Sequence, residues 1–247
     1  MDKITEIKKL DLLFKKNQRI NNQNTIEEAK KIIIEYLEKG EEGQTYLLDL
    51  LINRRLMDKE CLSILDGIIF DYLKKSKLKK IQEKINKSFP EGIFPLKTSL
   101  KNNYSSLQKL LVDKKFKEAD QLTQQHLCKL AGLDKYSKRN WLYFTDISYI
   151  PSEDLFTLDM LWQIYSEGKF GFSIQRKIWI LNNYNWNKLW QKIGWIKQGT
   201  MRRYPQEFIW NINAPIGHLP LFNQLRGNQV LLSLFEHIAW NTHIEIK

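Results

Sequence analysis

Residues 151–168 read PSEDLFTLDMLWQIYSEG, and this stretch sets the fold class. Proline, serine and two acids open it, the pattern of a helix start: Ser152 can cap, and Glu153 and Asp154 suit the positive end of the helix dipole. Leu155, Leu158, Leu161, Trp162 and Tyr165 then recur at helical spacing, and Gly168 marks the stop. Upstream, Leu107, Leu110 and Leu111 predict one helix, and Ala119, Leu122, Thr123, His126, Leu127 and Leu130, closed by Gly132, predict another. Downstream, a helix is expected from near Ser173 with Ile174, Ile178 and Leu181 in step. Trp186, Leu189, Trp190 and Ile193 mark one more before Gly194, and Gln229 to Trp240 a last one. Only Phe208–Ile212 alternates weakly, as a short strand or an extended segment would. The expected fold class is all-α.

The same period continues toward the N-terminus. Ile4, Ile7, Leu10 and Phe14, then Ile33, Tyr36 and Leu37, then Leu47, Leu50 and Leu51, and Leu62, Leu65, Ile68, Ile69 and Tyr72 form apolar stripes. Short polar joints separate them at Asn21–Thr25, where Thr25 and Glu28 suggest a capping pair, and at Gly40–Gly43. An antiparallel helical bundle over residues 1–88 follows. Residues 88–95, SFPEGIFP, hold two of the six prolines and a glycine, so a linker is placed at 89–100. A core at 101–227 and a C-terminal helix at 228–247 complete the expected division.

Hydrophobic residues make up 43% and charged residues 27% of 247, the balance of a folded globular protein. No apolar run is long enough to cross a bilayer. Cys61 and Cys128, far apart and without a CxxC pair, are expected as buried thiols of a reducing compartment. The net charge of +11 is uneven: residues 168–247 hold ten Lys and Arg against three Asp and Glu, whereas 101–167 balance at nine each. All eight tryptophans fall between Trp141 and Trp240. A basic, aromatic surface suits nucleic acid, and it equally suits a flat anionic ligand.

Catalysis finds little support. The chain has no GxSxG, P-loop, GxGxxG or HExxH pattern, and His126, His218, His237 and His243 are scattered. Asp154 and Asp159 lie five apart on one helix and so point to different faces, a poor acid–base pair. Asp154 is expected to assist the helix start and Asp159 to hold a buried turn. The chain is read as a non-enzyme.

Six local sequences are unusual: FKEADQLT (116–123), DISYIPSEDL (146–155), LDMLW (158–162), YSEGKFGFSIQ (165–175), IGW (193–195) and NAPIGHLP (213–220). In this order, across roughly residues 104–226, they make the chain resemble the genomes-uncoupled family of tetrapyrrole-binding proteins. The resemblance implies a helical core with a cupped apolar surface that receives protoporphyrin IX or Mg-protoporphyrin IX as a bound ligand. It also implies a non-catalytic role in stimulating magnesium chelatase, through the large porphyrin-binding subunit of that complex, and leaves room for peripheral membrane association.

A porphyrin offers two apolar faces and two propionates at one edge, so its site needs aromatic and aliphatic side chains beside one or two cations. Burying about 300 Å² of its face corresponds to roughly 7–8 kcal/mol gross, from which association removes several. The expected floor is Phe170, Phe172 and Ile174, with Trp195, Tyr204, Phe222 and Leu225; Gly171 would present both phenylalanines from a sharp turn. The expected anchors are Arg202, Arg203 and Arg226, the last in a loop where the family places ligand contacts. Trp162, Trp186 and Trp190 are assigned to the core. His218, in a Gly-His-Leu-Pro turn, is expected to bond loop carbonyls rather than ligate a metal, and no protein-bound metal is expected. The Lys, Ile and Asn bias, the absence of a transit-peptide pattern and the family resemblance point to a plastid stroma, with a cyanobacterial cytoplasm as the alternative. The competing function is a basic, Trp-rich RNA-binding protein, although no RNP motif or KH-type GxxG loop is found and no nucleic acid partner is expected.

Overall fold

The computed structural model describes residues 10, 12–14, 23–133, 139–221 and 228–240. They are mostly helical and separate into two compact units, with the break between Pro95 and Leu96.

In the first unit, α1 (Gln23–Glu38) and α2 (Glu41–Ile52) are joined by two residues, and α3 (Ile64–Lys74) and α4 (Lys79–Ser88) follow. Helix α1 starts two residues before Thr25, so Thr25 lies inside the helix and does not cap it. The apolar stripes do become the core: Ile26, Ala29, Ile33 and Tyr36 of α1 are buried, as are Leu47, Leu48 and Leu51 of α2. Helices α1 and α2 approach so closely that a Cβ on Gly43 would sit 1.8 Å from the Tyr36 carbonyl oxygen. Helix α3 opens with a capping box, in which Ser63 accepts from the first turn and Asp66 accepts from the Ser63 N–H at 2.8 Å. Asp66 also accepts from the buried Arg54 at 2.9 Å, in a π-helical turn (Asn53–Met57) that closes α2. Cys61 is half-buried in the irregular segment after this turn.

The second unit comprises α5 (Ser105–Val112), α6 (Phe116–Leu130), a 3₁₀ turn (Phe144–Tyr149), α7 (Ser152–Ile164), α8 (Phe172–Leu181), α9 (Trp186–Lys192) and α10 (Asn228–Phe235). Helix α7 carries the apolar period of residues 151–168. Leu155, Leu158, Leu161, Trp162 and Ile164 are all buried, and so are its polar residues Asp154, Thr157, Asp159 and Gln163. Polar groups buried in this way must be satisfied internally. Tyr104 donates to Asp154 at 2.6 Å, and Asp159 accepts from the Ser173 N–H at 2.9 Å and from Gln163 at 2.7 Å. Pro151 precedes the first helical residue, Ser152, whose side chain is not the cap.

Phe208–Ile212 forms no strand. The sheet is instead a short hairpin, with Ile196 opposite Met201 and Lys197 opposite Thr200. Gln198 and Gly199 turn it with φ of +51° and +79°, the double left-handed geometry that suits a two-residue hairpin turn. Among the described residues, no helix is long and apolar enough to cross a membrane.

Candidate functional site

The segment between α7 and α8 carries the Phe-Gly-Phe motif. The Gly168 N–H reaches back to the Gln163 carbonyl at 2.8 Å, and the Phe170 N–H donates to Ser166 Oγ at 2.8 Å. Phe170 packs edge-on against Phe116, with ring centroids 5.4 Å apart, and lies against Trp162. Phe172 is equally buried, while Ile174 on α8 is half-buried. The glycine between them has φ +143°, and a Cβ there would lie 2.7 Å from Asp159 Oδ1. Gly171 thus lets Asp159 reach the N-terminus of α8, and the two rings fill the core rather than stand at the surface.

Trp195 is also placed inside. The chain turns at Gly194, φ +71°, and the Trp195 N–H bonds the Trp190 carbonyl at 2.8 Å. Its indole, 0% exposed, stacks on Trp190 at 5.2 Å and 5°, and its Nε1 donates to the His218 carbonyl at 2.8 Å. His218 is saturated as well. Nε2 accepts from the Ile209 N–H at 3.0 Å, which leaves Nδ1 protonated to donate to the Ile193 carbonyl at 2.6 Å. Burial lowers its pKa and keeps it neutral, and neither nitrogen is left for a metal. Among the described residues, no group of His, Cys, Asp and Glu is arranged to hold a metal ion.

The loop after the hairpin is different, because it leaves cations and rings accessible. The Arg202 N–H bonds the Trp195 carbonyl at 2.8 Å, fixing the loop to the core, and its guanidinium reaches the Glu207 carbonyl. Arg202 Nε is buried and has no acceptor. The adjacent Arg203 is exposed, and Tyr204 is 37% exposed. Tyr204 meets Trp210 edge-on at 5.9 Å, and Trp210 is held by a 2.9 Å bond from its Nε1 to the Pro205 carbonyl. Gln121 of α6 donates to the Tyr204 hydroxyl at 3.4 Å.

One residue before Gln121, Asp120 accepts the Leu221 N–H at 2.6 Å, joining α6 to the segment that follows Pro220. Burial pushes its carboxyl up to about 8. The structure thus brings Arg202, Arg203 and Tyr204 together and adds Trp210, Gln121 and Asp120, which sequence reasoning did not single out as site residues. Asp120 and Gln121 lie in the FKEADQLT motif, so that motif already contained them. Phe222, Leu225 and Arg226 lie outside the described residues.

A half-buried arginine, a neighbouring exposed arginine and two angled rings are the residue types that suit the edge of a planar, anionic, largely apolar ligand. The fold is a helical domain whose hairpin loop gathers cations and rings. Residues 97–238 match the GUN4-like family, and the chain belongs to it. The ycf53 protein of Porphyra purpurea is 46% identical over 232 residues, covering 94% of this chain and 97% of that one. The chloroplastic tetrapyrrole-binding protein of Arabidopsis thaliana is 36% identical over 148 residues, 56% of each chain. The solved structure of GUN4 from Chlamydomonas reinhardtii superposes with a TM-score of 0.55 at 41% identity, covering 59% of this chain and 95% of that one. These relatives place the chain in a plastid or cyanobacterial setting.

Proposed function

We propose that this chain binds protoporphyrin IX and Mg-protoporphyrin IX and acts on magnesium chelatase as a non-catalytic regulatory partner, through the large porphyrin-binding subunit. The observation that carries the binding reading is the corner in which the cations Arg202 and Arg203 stand beside the angled rings of Tyr204 and Trp210. The Arabidopsis relative's description as a tetrapyrrole-binding protein supports the same reading.

Arg202 and Arg203 would meet the propionates, and Tyr204, Trp210 and the half-buried Ile174 would offer apolar surface. Phe222, Leu225 and Arg226 would complete the contact from the segment that Asp120 anchors at Leu221. Phe170, Phe172 and Trp195 are buried in the core and would not meet the ligand directly; Trp195 holds the loop through the Arg202 N–H bond to its carbonyl.

Titration with a water-soluble protoporphyrin analogue and its Mg form, following tryptophan quenching and the Soret band together, tests binding. Saturable one-site binding is expected, weakened about tenfold by Arg202→Ala or Arg203→Ala, close to the loss of one charge-assisted contact. Absence of saturable quenching in folded protein removes the ligand from the account. Adding the chain to a chelatase assay then reads Mg²⁺ insertion directly, and an unchanged rate removes the regulatory role.

A further inference from the structure

The corner between α8 and α9 presents two large apolar side chains to solvent: Leu181 is 72% exposed and Tyr184 60%. Tyr184 and its neighbour Asn183 both occupy the left-handed region, with φ of +59° and +55°. Asparagine tolerates this conformation, but a bulky aromatic residue there is unusual and strained. The turn is nonetheless well held, because the Tyr184 N–H bonds the Trp179 carbonyl and the Asn183 N–H bonds the Ile180 carbonyl, each at 3.0 Å.

The Tyr184 ring is braced from below. It meets Trp179 at 5.0 Å and 85°, Trp179 packs on Trp186 at 4.9 Å, and Trp186 stacks on Trp190 at 5.3 Å. The exposed ring is therefore the outer end of a chain of aromatic rings that runs through Trp179 and Trp186 to the buried Trp190.

Charge gives this corner its sign. From Gly168 to Gln206 the chain has eight Lys and Arg and no Asp or Glu. Lys177 lies one turn before Leu181 on α8, and Lys188 and Lys192 lie one turn apart on α9; all three are exposed.

We propose that the α8–α9 corner docks an acidic segment of a partner protein, which sets an apolar side chain against Leu181 and Tyr184 and carboxylates against Lys188 and Lys192. A fixed aromatic anchor rimmed by the exposed amides of Asn183 and Asn187 has the anatomy of a protein interface. Single-stranded nucleic acid is met by several stacking rings along a basic groove, whereas this corner offers one ring and an aliphatic side chain. A lipid surface takes a broad apolar helix face, which the amide rim interrupts. This surface shares no residue with the Arg202–Trp210 corner.

The test uses the full chain and a synthetic acidic helical peptide carrying leucine and phenylalanine four residues apart, with a charge-inverted lysine twin as control. Calorimetry should show saturable binding of the acidic peptide alone. Leu181→Ser and Tyr184→Asn should each weaken it about tenfold, with unchanged circular dichroism. Lys188→Glu with Lys192→Glu should abolish it and create affinity for the lysine twin. No saturable binding of the acidic peptide, or equal binding by these variants, overturns the proposal. Loss of binding to anionic phospholipid vesicles or to oligouridylate through the same substitutions, with the peptide unaffected, overturns it in favour of lipid or RNA.

Discussion

Asp120 receives a single backbone N–H, from Leu221, in a setting that otherwise strips its carboxyl of water. Its pKa is pushed from 3.8 to about 8 by burial, so between these limits the folded chain holds a proton that the unfolded chain has released. Stability must fall as pH rises through this window and level off above about pH 8, with roughly 2–3 kcal/mol lost between about pH 6 and pH 8. Asp120→Asn keeps an acceptor for Leu221 and removes the titration. Urea unfolding of the variant should lack this part of the pH dependence, and parallel profiles for the two proteins would contradict the assignment. His218 makes a complementary case. With both ring nitrogens committed to backbone groups, His218→Ala leaves a buried N–H and a buried carbonyl unpaired and should cost about 2–4 kcal/mol in the same assay. Because no ring nitrogen is left for a metal, the ratio of affinities for Mg and metal-free porphyrin should stay unchanged in the variant. A collapse of that ratio would show that the histidine contacts the pigment metal.

Two glycines separate the demands made on the elements. Gly171 has φ +143°, and a methyl group there would stand 2.7 Å from Asp159 Oδ1 and 3.1 Å from Gln163 Cγ. Gly171→Ala therefore both strains the backbone and displaces the carboxylate that caps α8. A loss of about 2–4 kcal/mol is expected in thermal unfolding. Gly199, at φ +79° in the hairpin turn, has open space around it, so Gly199→Ala should cost only about 1 kcal/mol. Equal losses would mean that the crowding at Asp159 relaxes freely. Helices such as α7 were legible because their apolar residues recur with the helical period, although α7 ends at Ile164, four residues before Gly168. The hairpin was not, since two residues per strand show no periodicity and only Gly199 hints at a turn. Burial on the far side of an element is equally invisible in one dimension. Trp195 follows a helix-stopping glycine, as a loop residue would, yet the left-handed turn at Gly194 carries its indole onto Trp190. Arg202, Arg203 and Tyr204, consecutive in the chain, needed no such folding-back to lie together; Gln121, which donates to Tyr204, comes from a distant helix.

At the scale of the molecule, the uneven charge separates a pigment binder from a nucleic acid binder. The excess cations of residues 168–247 attract any anion, and for RNA that attraction would be the main source of affinity. Each phosphate neutralised releases counterions, so engaging about six of the basic groups would weaken single-stranded RNA binding by roughly three hundredfold between about 50 and 200 mM salt. A porphyrin brings only two carboxylates, and most of its favourable free energy comes from apolar contact with rings and aliphatic side chains, which salt does not weaken. Repeating the porphyrin titration across that salt range should therefore change Kd by less than about tenfold, while any oligouridylate binding at low salt should vanish. If the porphyrin affinity fell as steeply as an RNA affinity, the ligand would be held by diffuse surface charge, and the corner of Arg202, Arg203, Tyr204 and Trp210 would not be its site.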